Sequence, residues 1–309
     1  MKKIPETLAT FLITMLLAFT LTFWMAHTVP GDPVTLITGE AGTGNVELLR
    51  AKLGLDQPLY IQYFKYLLHL AQGNLGTSLR NNEPVISMIM AVLPYTLTLA
   101  GAAVFLSAII GIPLGVAAAL RRNTAPDYLL MVVALSGVCM PSFWIGIMLL
   151  LVFSLYLGFF PTIGVGSFSD HSFWRFLILP AFALGLRSMG LVARMTRSSV
   201  LNVLREPYVV TARSKGLSER IVIYKHVLRN ALLPTVTMLG LDMGHLIAGS
   251  VIIETVFSRV GIGRLLVDGI YMRDYPVIQG TIIFLAFSIM VINVLMDVMS
   301  EIMDPRIRA

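Results

Sequence analysis

Residues 205–234 read REPYVVTARSKGLSERIVIYKHVLRNALLP, a compact basic stretch in a chain that is otherwise strongly apolar. Pro207 suits the first position of a helix, where its missing N–H costs nothing. Gly216 suits the position just after a helix end, where φ is usually positive. The pattern therefore predicts a helix over 207–215, a glycine turn, and a second helix that ends where Pro234 begins a membrane span.

The second of these helices is predicted to be amphipathic. Ser218 is placed to cap it, and its apolar stripe consists of Ile221, Tyr224, Leu228, Ala231 and Leu232. The basic residues that border this stripe are Arg220, Lys225 and Arg229. Such a pair suits docking into a groove of another protein, with apolar anchors inside and basic groups at the rim. The alternatives are a loop that only sets topology and a DNA-binding helix-turn-helix, which close membrane helices on both sides disfavour.

The composition points to lipid as the main solvent of the chain. Of its 309 residues, 56% are apolar and 13% are charged, about half the charged share of a soluble domain. Because lipid offers the backbone no hydrogen bonds, long apolar stretches are expected to be helices. We predict an all-α membrane protein with six transmembrane helices, the first uncleaved, over 8–29, 94–120, 128–157, 176–197, 233–256 and 276–300. The single cysteine, Cys139, excludes a disulfide framework and a cysteine-based metal site.

The distribution of Lys and Arg predicts that both termini are cytoplasmic. With that orientation, 14 of the 23 basic residues lie in cytoplasmic segments or, as Arg194 and Arg197 do, at the cytoplasmic end of the fourth span, whereas 8 lie outside and Arg187 falls deeper within that span. Residues 205–234 are then cytoplasmic, and residues 30–93 form an external segment. Apolar residues at helical spacing predict two short amphipathic helices in that segment, one around 48–53 and one around 60–68.

Residues 205–234 resemble the cytoplasmic EAA loop of ABC importer permeases. Thr211, Ala212 and Arg213 take the Glu-Ala-Ala positions, Gly216 follows three residues on, and Leu232, Leu233 and Pro234 form the apolar-Leu-Pro ending. The sequence TARSKGL (211–217) is similar to the TARAKGL-like loops of the peptide/nickel branch. Further segments resemble that branch in order and spacing: PGDP (30–33), LGLDQPLYIQY (53–63), GNLGTS (73–78), LPYTLTL (93–99), RDYPVIQG (273–280) and DPRIR (304–308).

This resemblance implies a type I ABC importer permease in the bacterial inner membrane. It implies an N-terminal helix (1–29), an external segment (30–93) and a five-helix core (94–309) that includes a coupling loop (198–232). The implied partners are a second homologous permease in a heterodimer, two cytoplasmic ATPase subunits and an external substrate-binding protein, with no nucleic acid. The residues implied in coupling to the ATPase are Thr211, Ala212, Arg213, Gly216, Leu217, Leu233 and Pro234.

The chain is not expected to be an enzyme, and no cofactor is expected in it; ATP and Mg would be bound by the partner subunits. The segment GHLIAGS (244–250) has the glycine spacing of a P-loop but lacks its Lys and lies within a span. No H-E-x-x-H, G-x-S-x-G or Cys-His pattern suggests a membrane enzyme. A secondary transporter is a more distant alternative, disfavoured because no internal repeat is visible.

Ionisable residues inside the spans are candidates for function. They are Arg187, Asp242, His245 and Glu254. Asp242 and His245 are three residues apart on one helix face and are expected either to line a pathway or to pair between subunits. Glu254 is expected near the hydrated outer end of its span.

The resemblance implies short di- or oligopeptides as cargo. Nickel or a metal chelate is the alternative within the same branch. A bare metal would point to Met238, Met243 and His245, since imidazole and thioether suit softer transition metals. The chain shows no tight ligand cluster, so no metal site is predicted.

Overall fold

A computed structural model describes residues 3–28, 56–166 and 172–303. Within these ranges the chain is helical apart from turns and one isolated bridge between Thr77 and Pro84. Ten helices follow one another there: α1 Lys3–Thr28, α2 Leu59–Ala71, α3 Val85–Leu120, α4 Ala125–Cys139, α5 Ser142–Tyr156, α6 Ser172–Val203, α7 Pro207–Ser214, α8 Glu219–Val256, α9 Ile262–Met272 and α10 Tyr275–Met303. Helix α5 ends in a π-helical segment, Leu150–Tyr156, and α8 contains another, Val222–Val227.

Four of the described helices are long and apolar enough to cross a membrane: α3, α6, α8 and α10, the last through Met296. A fifth is added if α4 and α5 form one span, although they are bent by 104°. The span predicted over 128–157 therefore contains a sharp bend, and its crossing of the membrane stays a prediction. Met140 has an extended backbone, with ψ of 136°, because Pro141 disfavours the helical conformation of the residue before it. The apolar helix within α1 is shorter, Ala9–Met25, so the count of six spans stays a prediction.

The chain divides into two compact units, of which the first comprises Met1–Tyr95 and Val260–Met290. In this unit aromatic rings hold α1 against α2. Phe19 is fully buried, and its ring lies 5.0 Å from that of Tyr63 and 5.3 Å from that of Tyr66. Helix α2 confirms the amphipathic helix predicted around 60–68. The one predicted around 48–53 lies outside the described residues.

Two segments that carry the family resemblance meet in the first unit. The hydroxyl of Ser78, in GNLGTS, donates to the Asp274 carboxylate of RDYPVIQG, and the Leu79 N–H donates to the other oxygen at 3.2 Å. The Arg80 guanidinium also donates to the Met272 carbonyl at 3.2 Å. These bonds fix the start of α3 to the junction of α9 and α10.

The second unit comprises Thr96–Arg259 and Val291–Ala309, and α6 lies at its centre. Helix α6 packs mainly against α4 and α8 and buries half its length. Small residues allow the close contacts: a Cβ on Gly190 would overlap the Ala134 carbonyl of α4, and one on Gly115 of α3 would overlap the Ala193 carbonyl. Close approach through glycine is the usual means by which helices associate in lipid. Helix α6 is therefore the framework on which the candidate site is built.

Candidate functional site

Helix α7 and the first turns of α8, residues 207–227, form what we call the basic helix pair. Pro207 occupies the first turn of α7, as predicted, after an extended Glu206. The Thr211 hydroxyl donates to the Pro207 carbonyl at 3.0 Å and thus bonds within its own helix. The amide of Asn230 in α8 donates to the Tyr208 hydroxyl at 2.8 Å and ties the two helices together.

The turn between the two helices has the geometry predicted from the sequence. Helix α7 ends at Ser214, and Gly216 follows with φ of +78°, a conformation that glycine adopts without a steric penalty. The Arg213 guanidinium bridges the turn to the Glu219 carboxylate at 2.8 Å. Ser218 occupies the predicted N-cap position, but its side chain makes no capping hydrogen bond.

The inner face of the basic helix pair is buried within the second unit. Val209 and Ala212 of α7 pack with Val222, Val227 and Ala231 of α8. The same cluster contains Ala119 of α3 and Val200 of α6. Burial of these side chains stabilises the pair on the ends of two long helices, so it is expected to move as a rigid part of the unit.

The predicted apolar stripe of α8 is exposed in its first turns and buried farther along the helix. Ile221 and Tyr224 are exposed, and the buried positions are Val222, Val227 and Ala231. The π-helical segment explains the difference, because its hydrogen bonds join residues five apart and so place Val222 and Val227 on one face. The π segment could not be read from an α-helical period.

We use the name outer face for the exposed apolar side chains of the basic helix pair. It consists of Tyr208, Val210, Leu217, Ile221 and Tyr224. Tyr224 is 73% exposed, the largest value among these five side chains. The exposed basic residues of the same segment are Arg213, Lys215, Arg220 and Lys225, and Arg229 follows just after it. An apolar centre with basic neighbours is the anatomy of a docking surface for another protein.

Leu233 and Pro234 do not mark a boundary between two helices. Helix α8 runs without a break from Glu219 to Val256, with Pro234 inside it, so the second predicted helix and the fifth predicted span form one helix, and the start of the membrane span at Pro234 stays a prediction. Membrane helices tolerate an internal proline when neighbouring groups satisfy the freed carbonyl. As a consequence, the outer face and the buried part of α8 belong to one continuous helix.

An ion pair that the sequence analysis missed lies near the basic helix pair. The Arg197 guanidinium of α6 donates to both oxygens of Asp127 at 2.7 and 2.6 Å, and the Asn123 N–H also donates to Asp127 at 3.0 Å. Asp127 is almost fully buried. The pair fastens the turn between α3 and α4 to α6. An aspartate in the first turn of a helix, just after Pro126, was the only local signal.

Asp242 lies at the contact of α8 with α6. It is buried, it accepts a hydrogen bond from the Ser188 hydroxyl, and its other oxygen lies 4.0 Å from Nη1 of Arg187. His245 is exposed, so it does not share the environment of Asp242 although the two are three residues apart. Lining of a pathway by these residues stays a prediction.

Glu254 differs from the expectation of a hydrated position. It is fully buried and accepts a hydrogen bond from the Thr96 hydroxyl of α3 at 2.7 Å. Arg259 is also fully buried, 5.6 Å above the Phe173 ring, and donates to the Phe176 carbonyl at 3.4 Å. These contacts pack the end of α8 against α3 and the residues after α8 against the first turns of α6, and they favour a structural role for Glu254. Among the described residues, no three His, Cys, Asp or Glu side chains come together as a metal site.

Two family models together match most of the chain. The model described as "binding-protein-dependent transport system inner membrane component" matches residues 111–309, and a model for the N-terminal part of such components matches residues 4–100. The chain is 43% identical over 296 residues to the glutathione transport system permease protein GsiC of Salmonella paratyphi A (strain ATCC 9150 / SARB42), covering 96% of this chain and 95% of that protein. GsiC of Escherichia coli (strain K12) is also 43% identical over the same length.

Solved structures share the fold at much lower sequence identity. An inward-facing MetNI methionine ABC transporter matches with a TM-score of 0.60 and 16% identity, covering 71% of this chain and 97% of that chain. An amino acid ABC transporter with histidines matches with a TM-score of 0.51 and 18% identity, covering 70% and 94%. The likeness confirms the predicted all-α bundle of the type I importer permeases.

Proposed function

The chain belongs to the binding-protein-dependent transport system inner membrane components, and on that premise we propose that it carries short peptides, glutathione among them. It is the permease subunit of an ABC importer, a multi-pass membrane protein, and ATP hydrolysis falls to separate ATPase subunits. A substrate-binding protein delivers the cargo. The observation that carries the cargo proposal is the 43% identity, along nearly the full length, to a permease named for glutathione transport.

The basic helix pair couples this permease to an ATPase subunit. Its outer face offers apolar anchors to a groove, while its inner face is fixed to α3 and α6 by the buried cluster around Val209 and Val222. A rigid pair transmits a displacement that a flexible loop would absorb. ATP binding must favour one arrangement of the bundle by several kcal/mol to shift the population substantially, so a stiff connection is required.

The coupling surface is proposed to lie in the cytoplasm together with both termini, in the bacterial inner membrane. The excess of Lys and Arg on that side supports this orientation. ATP and Mg are bound by the ATPase subunits. In this chain the segment Gly244–Ser250 lies inside α8, several of its side chains are buried, and it lacks a P-loop Lys. A second, homologous permease completes the pathway as a heterodimer.

Nickel or a metal chelate is the second candidate cargo, supported only by resemblance to the peptide/nickel branch. Uptake of labelled glutathione, a labelled dipeptide and radioactive nickel by cells with and without this chain separates the candidates. We expect loss of glutathione or dipeptide uptake and unchanged nickel uptake in the deletion strain. Loss of nickel uptake alone would replace the peptide proposal with a metal importer.

The coupling proposal is tested by copurification of the ATPase subunits with the permease. Tyr224→Asp places a charge at the most exposed apolar position of the outer face and should reduce the amount of ATPase recovered at least several-fold. Tyr271→Asp is the matched control, because Tyr271 is 83% exposed on α9, outside the basic helix pair. Equal recovery from both variants would remove the outer face as the docking surface.

A further inference from the structure

Arg187 is the one exposed residue in a long buried stretch of α6. From Leu179 to Ala193 every other side chain is buried or half-buried, whereas the Arg187 side chain is 58% exposed. It lies close to the middle of the 32-residue helix. A charged group at mid-membrane depth is costly against lipid and normally faces water or protein. The open side of Arg187 is therefore not a lipid-facing surface.

The carboxylate of Asp242 lies near this guanidinium but leaves most of it exposed. Their closest atoms, Nη1 and Oδ1, are 4.0 Å apart, longer than the 2.7–2.9 Å of a charge-assisted hydrogen bond. Asp242 is itself buried and is held by the Ser188 hydroxyl. Because a guanidinium has five N–H donors, Arg187 keeps donors for a second anion.

Helix α8 also carries accessible side chains close in sequence to Asp242. Leu241, His245 and Ala248 are exposed and follow at intervals of four and three residues, which places them on one helix face. Arg187 and this face belong to the same two packed helices, α6 and α8. These two helices thus carry both a cationic and several apolar accessible side chains near mid-helix, the mixed composition expected for a passage for small polar molecules.

We propose that Arg187 receives the carboxylate of the peptide cargo inside the pathway and that Asp242 is its positioning residue. This assignment rests on the proposed function. A terminal carboxylate is the anion that unmodified short peptides share, and the planar guanidinium fork matches its two oxygens. The nearby Asp242 charge partly offsets the attraction, so the cargo is held and then released, as transport requires.

The test uses the complete transporter, with its partner permease, ATPase subunits and binding protein, reconstituted in proteoliposomes. The probes are labelled trialanine and its C-terminal amide, supplied at concentrations that load the binding protein equally. Arg187→Gln should lower trialanine uptake about ten-fold, the usual effect of losing a charge-assisted contact, and amide uptake less than two-fold. Arg187→Lys should restore only part of the trialanine uptake, because lysine keeps the charge but not the planar fork. Arg194→Gln, an exposed arginine two turns away on α6, should leave the ratio of the two rates unchanged.

The outcomes separate this inference from the function on which it rests. An equal fall of both rates in Arg187→Gln would mean that Arg187 pairs with the partner permease or supports packing, and would overturn the inference. No fall in either rate would overturn it as well. If the wild-type transporter took up neither peptide while importing nickel, the proposed peptide function itself would fail.

Discussion

The Arg197 guanidinium donates two hydrogen bonds, of 2.7 and 2.6 Å, to the Asp127 carboxylate, and this ion pair joins α6 to the turn between α3 and α4. Asp127 is 1% exposed and the Arg197 side chain 26%, so water screens the pair only from one side. The same helix, α6, contributes Val200 to the cluster beneath the basic helix pair. The ion pair therefore stabilises the part of the bundle on which that helix pair rests.

Removing one partner of this pair should destabilise the protein strongly. Asp127→Ala leaves the Arg197 charge without its acceptor. We expect the free energy of unfolding to fall by about 3 kcal/mol, the lower end of the range for buried ion pairs, because Arg197 is partly exposed. The measurement is the thermal unfolding midpoint of the purified transporter in detergent. The double variant Asp127→Ala/Arg197→Met should recover much of the loss, since it removes both charges. A double variant no more stable than Asp127→Ala would contradict this account.

Gly216 should be required for coupling but not for insertion into the membrane. A valine there must adopt φ near +78°, which costs about 1–2 kcal/mol, whereas its side chain meets no neighbour. Gly216→Val should therefore reach normal membrane levels and lose ATP-driven uptake. Gly216→Asn is the matched control, because asparagine tolerates this conformation, and it should retain most of the uptake. Normal uptake with Gly216→Val would exclude a role for the turn.

The features of the site that follow from the backbone preference of a single residue could be predicted from the sequence. Those that depend on contacts between distant residues could not. Pro207 and Gly216 act through their own backbone preferences, so their positions followed from the sequence. The buried face around Val222 and Val227 did not, because it depends on a π-helical segment that an α-helical period does not indicate. The contact of Asp127 with Arg197 joins residues 70 apart and has no local signature.

Gly190 should be the most sensitive position at the contact of α6 with α4. Even the Cβ of alanine would overlap the Ala134 carbonyl, which is backbone and cannot rotate away. Gly190→Ala should therefore separate the two helices and lower the amount of folded permease in the membrane. Gly101→Ala provides the comparison, since a Cβ there meets nothing within 4 Å, and it should leave that amount unchanged. Equal expression of both variants would mean that α4 shifts to accommodate the methyl group.

Asp242 offers a kinetic test of a positioning role. Asp242→Asn keeps an acceptor for the Ser188 hydroxyl but removes the negative charge 4.0 Å from Arg187. If Arg187 binds the cargo carboxylate, the variant should hold peptide more tightly and release it more slowly. Both the KM and the maximal rate of peptide uptake should then fall by several-fold, in a complex that assembles normally. A merely structural role would lower the maximal rate alone. Loss of the ATPase and partner permease on purification would assign Asp242 to packing between helices instead.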